Sequence, residues 1–300
     1  MHSFSLLSLL FLSFATLIYS AVVTYDWELT WVNANPDGRL VRPVIGINGE
    51  FPCPTIHVNL GDQLVVNVKN SLGNESTSIH WHGMHQEGTN AMDGPTGATQ
   101  CPIPPGSSFT YDFTVCANAY HALTQLIGAK INQTGTYWWH SHHGGQMPDG
   151  LRGPLIVHDP YSPYAGQYDD ELVLTFSDWY HDQMPGLISY YLSPESNPSG
   201  AEPVPYSALF NEVQNASLSV EPDKTYLVRI ISMAAFAQVS EIRGQNTAGP
   251  HTYLFSGICM VRSTFDDHRR SRRHLYPTVR GRLNLYCNSP ERRSPPKDKM

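Results

Sequence analysis

The chain has 300 residues, enough for two ordinary domains with buried cores. Charged residues are only 15%, with 23 Gly and 23 Pro, which excludes a coiled coil, a collagen and a chain disordered throughout, and suits a loop-rich β protein. The net charge of −7 is an average over unlike parts: residues 1–240 carry 7 Lys and Arg against 21 Asp and Glu, a balance of −14, whereas residues 241–300 carry 12 against 5, a balance of +7. Five cysteines are too few for a disulfide scaffold, and their odd number leaves at least one thiol unpaired within the chain.

Phe4 to Ile18 is an almost unbroken apolar run followed by Ser20 and Ala21. About 15 residues is too short to span a bilayer and right for the apolar stretch of a secretory signal, so residues 1–20 read as a signal peptide and the mature chain as extracytoplasmic. Acceptor sequons at Asn74, Asn132 and Asn215 agree with export as surface glycosylation sites. No other stretch is apolar enough to span a membrane.

Short strands broken by turn residues follow. Val22 to Trp31, Gln63 to Val68 and Phe109 to Val115 alternate, and Leu151 to Val157 closes a first unit predicted over residues 21–159. Their spacing reads as a β-sandwich or barrel. A second β pattern, at Glu171 to Phe176 and Tyr226 to Ile231, gives a partial unit over residues 160–240. The basic segment 241–300, with Arg269-Arg270-Ser271-Arg272-Arg273, shows no periodic apolar pattern and is expected to be a disordered, aberrant tail; an extracytoplasmic chain gives it no nucleic acid to bind.

The chemistry lies in the histidines. His80-Trp81-His82 and His140-Ser141-His142 are His-x-His pairs in strand-like sequence, and residues i and i+2 of a strand share a face. Two imidazoles so placed can hold different ions of a closely spaced cluster, and imidazole alone leaves copper, zinc, iron and nickel open. His143 falls on the opposite face and is left out, His181 reads as a packed group, and His57 and His158 carry no partner at metal spacing. Trp138-Trp139 and Tyr190-Tyr191 read as packing residues.

His80-Trp81-His82-Gly83 continues through Gln86, Gly88-Thr89-Asn90 and Met92-Asp93-Gly94-Pro95 to Gln100-Cys101-Pro102-Ile103. The second run is Gly135-Thr136-Tyr137-Trp138-Trp139-His140-Ser141-His142, then Gln146, Asp149-Gly150 and Gly153-Pro154-Leu155. Together they resemble the first two copper-binding signatures of the multicopper oxidases. Ala91-Met92-Asp93-Gly94, Ser177-Asp178-Trp179-Tyr180-His181-Asp182 and Ser199-Gly200-Ala201-Glu202-Pro203 make the chain most similar to the fungal iron-transport ferroxidases. The resemblance implies an all-β fold of cupredoxin-like Greek-key sandwiches, and copper as cofactor: His80 at the type 2 copper, and His82, His140 and His142 at the type 3 pair. It further implies proton delivery by Asp93, Fe(II) binding by Asp178, Fe(II) and dioxygen as substrates, an iron permease as partner, and a site on the outer side of the plasma membrane. A laccase acting on phenols and a non-catalytic, secreted copper-binding fragment are the alternatives.

The chain departs from that pattern in three places. About 15 residues, within 116–131, interrupt the run from Phe113-Thr114-Val115 to Asn132-Gln133-Thr134-Gly135 and read as a retained intron. The resemblance stops near Ala237, as a frameshift would make it. Neither a His-x-x-His-x-His run nor a His-Cys-His occurs after His142, so half the ligands of the trinuclear cluster and the thiolate site are not in this sequence, and the chain as written is expected to be inactive. Smaller departures are Cys53, His85 and Met147.

Overall fold

A computed structural model describes residues 20–115, 133–214, 218, 220–221 and 224–236, with the backbone alone of 257–264 and 282–286. The signal segment up to residue 19 and the interrupting segment, along with Asn132 and Asn215, lie outside the described residues.

The first sheet orders its strands β2-β1-β4-β6: β1 is Val22–Ala34, β2 Arg42–Ile47, β4 Gln63–Asn70 and β6 Ser108–Thr114. The second is β3-β8-β7-β5, with β3 Ile56–Asn59, β5 His80–His82, β7 Gly135–His140 and β8 Arg152–His158. Each contains one parallel pair, β1 with β4 and β3 with β8, among antiparallel neighbours, the arrangement of a Greek-key sandwich. Alternation decides which side chains meet between them. Trp27, Leu29, Leu64, Val66, Val68, Tyr111 and Phe113 from the first sheet join Ile56, Val58, Trp81, Trp139, Leu155 and Val157 from the second in one buried cluster. The indoles in that core satisfy their N–H groups at loop carbonyls: Trp81 donates to Met92 at 2.8 Å and Trp139 to Pro54 at 3.2 Å.

A third sheet, β10-β9-β11-β12-β13, holds β9 Asp170–Trp179, β10 Ser207–Phe210, β11 Thr225–Ser232, β12 Gly257–Thr264 and β13 Arg282–Tyr286. The last two strands correct the expectation of a tail disordered throughout. β12 runs antiparallel on β11 from Thr225↔Arg262 to Ile230↔Gly257, and β13 pairs with β12. The open edge of β11 presents main-chain donors and acceptors that any extended segment can satisfy, so pairing here does not need the apolar periodicity the sequence lacks. A short helix α1, Met184–Tyr191, was also not foreseen. Pro185 occupies its first turn, and the Met184 N–H donates to Asp149 Oδ2 at 2.9 Å, placing a carboxylate where the helix dipole favours one.

The third sheet is tied to the sandwich by arginines. Arg152 on β8 makes a two-pronged pair with Glu212, with both N···O distances 2.9 Å. Arg229 on β11 bonds Glu171 and the Thr136 hydroxyl. Arg42 on β2 bonds Asp149 and the Tyr180 carbonyl and lies 4.1 Å over the Trp179 ring. Buried Cys53 and exposed Cys101 are free thiols, and burial pushes the Cys53 thiol up to about 12.

Candidate metal centre

Strands β5 and β7 are antiparallel neighbours with His80 opposite His140 and His82 opposite Trp138. This register gathers the two histidine pairs, far apart in sequence, at one end of the second sheet. His80, His82 and His140 each bring a ring nitrogen to within 4.8 Å of the others. His142 completes the group, its ring 5.4 Å from that of His80 and 5.9 Å from that of His140. Only the first pair is a true strand pair: β7 ends at His140, so His142 reaches the cluster from the turn beyond it. Trp138 lies 4.7 Å from the His82 ring and 4.4 Å from the His140 ring, so it packs these two imidazoles while Trp139 fills the core.

Hydrogen bonds fix which nitrogen each ring offers. His80 Nδ1 lies 2.8 Å from the Asp93 main-chain oxygen and 3.2 Å from its carboxylate. His140 Nδ1 donates to the Ser141 carbonyl at 2.8 Å. Both rings therefore turn Nε2, with its lone pair, toward the cluster. His82 presents Nδ1, 3.2 Å from His140 Nε2. Burial draws His140 down to about 3, and burial together with the neighbouring His80 and His142 lowers His82. Neutral imidazoles are what a metal requires. Borderline nitrogen donors gathered within 4.8 Å of one another fit copper.

Asp93 reaches His80 because Gly94 follows it. Gly94 has φ +102°, and a Cβ there would overlap the Ile79 carbonyl oxygen and crowd His80 Cα; no other residue lets this loop lie against β5. Gln146, quoted in the motif but given no role there, holds the opposite side. Its oxygen accepts from the Thr77 and Ser141 hydroxyls, each at 2.8 Å, and its nitrogen donates to Glu75 Oε2 and the Ser76 carbonyl. Ser141 lies between the two histidines of its pair, so this buried network sets their backbone. A Gln four residues after a His-x-His run is the only trace of it in sequence.

Asp178 is elsewhere and only 1% exposed. Its two oxygens accept the N–H groups of Ala235 and Phe236 at 3.0 and 2.7 Å. His181 is packed, as expected, bonding Asp37 at 2.7 Å and stacking on Tyr206. Asn74 is exposed, and its side-chain oxygen accepts from Trp31. The expectation for His57 and His158 is corrected: they are partners of each other, with ring nitrogens 3.1 Å apart, because parallel pairing of β3 with β8 joins segments that are distant in sequence.

A family profile described as Multicopper oxidase matches residues 28–130 and 127–162, and a second of the same description matches 170–245. The two pieces of the first match overlap inside the interrupting segment. The chain is 56% identical over 218 residues to the iron transport multicopper oxidase fetC of Epichloe festucae, covering 73% of this chain and 32% of that protein. It is 41% identical over 230 residues to the iron transport multicopper oxidase FET3 of Saccharomyces cerevisiae, covering 77% and 33%. The chain thus spans about a third of the length of the curated relatives it matches. Among solved structures it is similar to Fet3p, described as a multicopper oxidase that functions in iron import, with TM-score 0.69 and 36% identity over 83% of this chain and 47% of that one. A laccase from Botrytis aclada follows at TM-score 0.55 and 31% identity, covering 72% and 39%.

Proposed function

The chain belongs to the multicopper oxidase family, and from that premise we propose that it is the histidine-bearing part of an iron-transport ferroxidase. The reaction would be the oxidation of four Fe(II) to Fe(III) with reduction of one dioxygen, taking up four protons, to two waters. The observation that carries the reading is the gathering of His80, His82 and His140, with ring nitrogens within 4.8 Å of one another and the His142 ring beside them, in a chain whose matched relatives are named for iron transport. Bound copper would supply one-electron redox chemistry between the iron and dioxygen.

The chain's own residues have definite parts in this. His80 and His140 would bind through Nε2 and His82 through Nδ1. Asp93 holds the proton at His80 Nδ1 and, at intermediate exposure, is placed to pass protons from solvent toward the cluster. His82 and His142 are exposed, so the cluster opens outward, where the missing half of a ligand set would dock. We assign Fe(II) to Asp178, whose carboxylate would have to release the Ala235–Phe236 loop to meet it. An extracytoplasmic location, glycosylation at Asn74, Asn132 and Asn215, and an iron permease partner belong to the same proposal. Among the described residues no helix is long and apolar enough to cross a membrane.

Copper loading of the chain tests the reading. The expected result is copper held through imidazole nitrogens, with no intense blue thiolate band, because no His-Cys-His run is present. Fe(II) turnover is expected only when a segment carrying the remaining ligands is joined to this one. Failure of such a joined protein to oxidise Fe(II), with oxidation of phenols instead, would move the assignment to a laccase.

A further inference from the structure

Away from the cluster, two histidines form a second pair of nitrogen donors. His57 is on β3 and His158 ends β8, and the parallel register pairs His57 with Ile156 and Asn59 with His158. The two histidines are thus diagonal neighbours on one face, a separation that long or aromatic side chains can close. The rings stack, with centroids 5.4 Å apart and planes 13° from parallel. His57 Nδ1 stands 3.1 Å from His158 Nε2.

That spacing suits a chelate. Two imidazole nitrogens, each about 2.0–2.1 Å from an ion, span 3.1 Å when they subtend roughly 98° at it, between the square and tetrahedral angles. The pair is also held in place before any ion arrives. The Tyr25 hydroxyl accepts the His57 main-chain N–H at 3.1 Å and donates to the His57 carbonyl at 3.4 Å, so one side chain clamps the backbone that carries the first ring. Burial keeps His158 below the usual histidine range, hence neutral at neutral pH, with Glu171 opposing and Arg229 reinforcing the shift. Glu171 is itself held by hydrogen bonds from Arg229 and Tyr168, and its charge favours a cation at the pair. His158 also borders a cavity of about 250 Å³ shared with Asp159, Glu171 and Arg229, which gives water access to the ion's remaining positions.

We propose that His57 and His158 form an accessory site for a borderline divalent transition ion such as Zn(II), bound by two imidazoles and completed by water, separate from the His80–His142 cluster. Nothing in the redox reading requires it. The competing account is a plain hydrogen bond between two neutral imidazoles, which would bind no ion.

Calorimetric titration of the full chain with Zn(II) alone at neutral pH separates the two. Wild type is expected to take up one equivalent that His57→Ala and His158→Ala each lose or bind about tenfold or more weakly. The double variant should lose no more than either single one, since one ion is shared. His140→Ala, acting on the cluster, should leave this equivalent in place. Because His57 is exposed, His57→Ala and the milder His57→Gln are expected to fold with the wild-type melting temperature without Zn(II), which keeps the test sound should His158→Ala fail to fold. Wild-type stoichiometry and affinity in folded His57→Ala would overturn the proposal, as would loss of the equivalent only with His140→Ala.

Discussion

Asp93 holds His80 by two atoms at once: its main-chain oxygen lies 2.8 Å from His80 Nδ1 and its carboxylate 3.2 Å from the same nitrogen. The first contact fixes the tautomer, and the second adds negative charge that raises the basicity of the ligating Nε2. Removing a carboxylate behind a metal ligand typically costs 10–100-fold in affinity. Because the main-chain contact survives substitution, Asp93→Ala should lie toward the weak end, about tenfold weaker for copper, and Asp93→Asn nearer wild type. Competition against a chelator of known affinity measures this. Wild-type affinity in Asp93→Ala would show that the main-chain oxygen alone positions the ring.

Arg152 and Glu212 offer a test of stability that no copper enters. The guanidinium is fully buried and Glu212 nearly so, at 0% and 7% side-chain exposure, and the Ser177 hydroxyl also bonds Glu212. Breaking such a pair from one side strands a charge, at a cost of about 3–5 kcal/mol, whereas an apolar replacement of both partners can be neutral. Arg152→Met should therefore lower unfolding stability by about that amount, and Arg152→Met with Glu212→Met should recover most of it. Urea denaturation decides. Equal losses in the single and double variants would mean that packing, not charge, sets the effect.

These two contacts show which parts of the molecule could be read in the sequence and which could not. Strands β1, β4 and β6 were legible because alternation over five or more residues has one strong cause, a face turned to a core, and β8, β9 and β11 because they are short apolar, β-branched runs between turn residues. His80 and His82 were legible for a similar reason, since a period of two places i and i+2 together, whereas His142 reaches the group from the turn that follows β7. Pairing between distant segments leaves no such local trace. The His57–His158 contact depends on parallel pairing of β3 with β8, and Arg152–Glu212 on β8 meeting the turn after β10. β12 was hidden differently: an edge of β11 wants a partner, and that demand is written in β11, not in the segment that fills it. Helix α1 was obscured by its short span and by a carboxylate at its start, Asp149, that comes from a different loop.

Gln146 is buried, and all four of its bonds are to groups that are themselves buried or half-buried. Gln146→Leu keeps the approximate volume and takes away the partner of the Thr77 hydroxyl and of the Ser76 carbonyl, leaving the Ser141 hydroxyl only the His143 N–H. At about 1–3 kcal/mol for each buried group left unsatisfied, a loss of about 3 kcal/mol is expected after partial relaxation. Gln146→Glu should cost at least as much at neutral pH, since its oxygens still accept from Thr77 and Ser141 but set a second carboxylate against Glu75, and the loss should shrink as pH falls and the two share a proton. Copper binding should weaken in both, because Ser141 carries the backbone between His140 and His142. Destabilisation with unchanged copper affinity would separate the network from the ligands.

The last expectation concerns pH and the metal-free chain. His140, 8% exposed, is drawn from its ordinary 6.5 down to about 3, by burial first and by the positive potential of His80, His82 and His142 after it, against the pull of the Ser141 carbonyl. In the unfolded chain the same ring titrates near 6.5. Above that pH both states hold it neutral and it costs nothing. As pH falls from about 6.5 toward 3 the unfolded chain takes up a proton that the folded chain refuses, so folding stability declines across that window and levels off below it. His82, lowered by burial and by the same neighbours, adds a slope of the same sign. Urea midpoints of the metal-free chain between pH 7 and pH 4 should therefore fall, and His140→Gln should flatten part of the fall by removing the group that titrates. A variant with the wild-type slope would place the acid sensitivity in other residues. Copper binding should steepen the dependence, since protons and the ion compete for the same lone pairs.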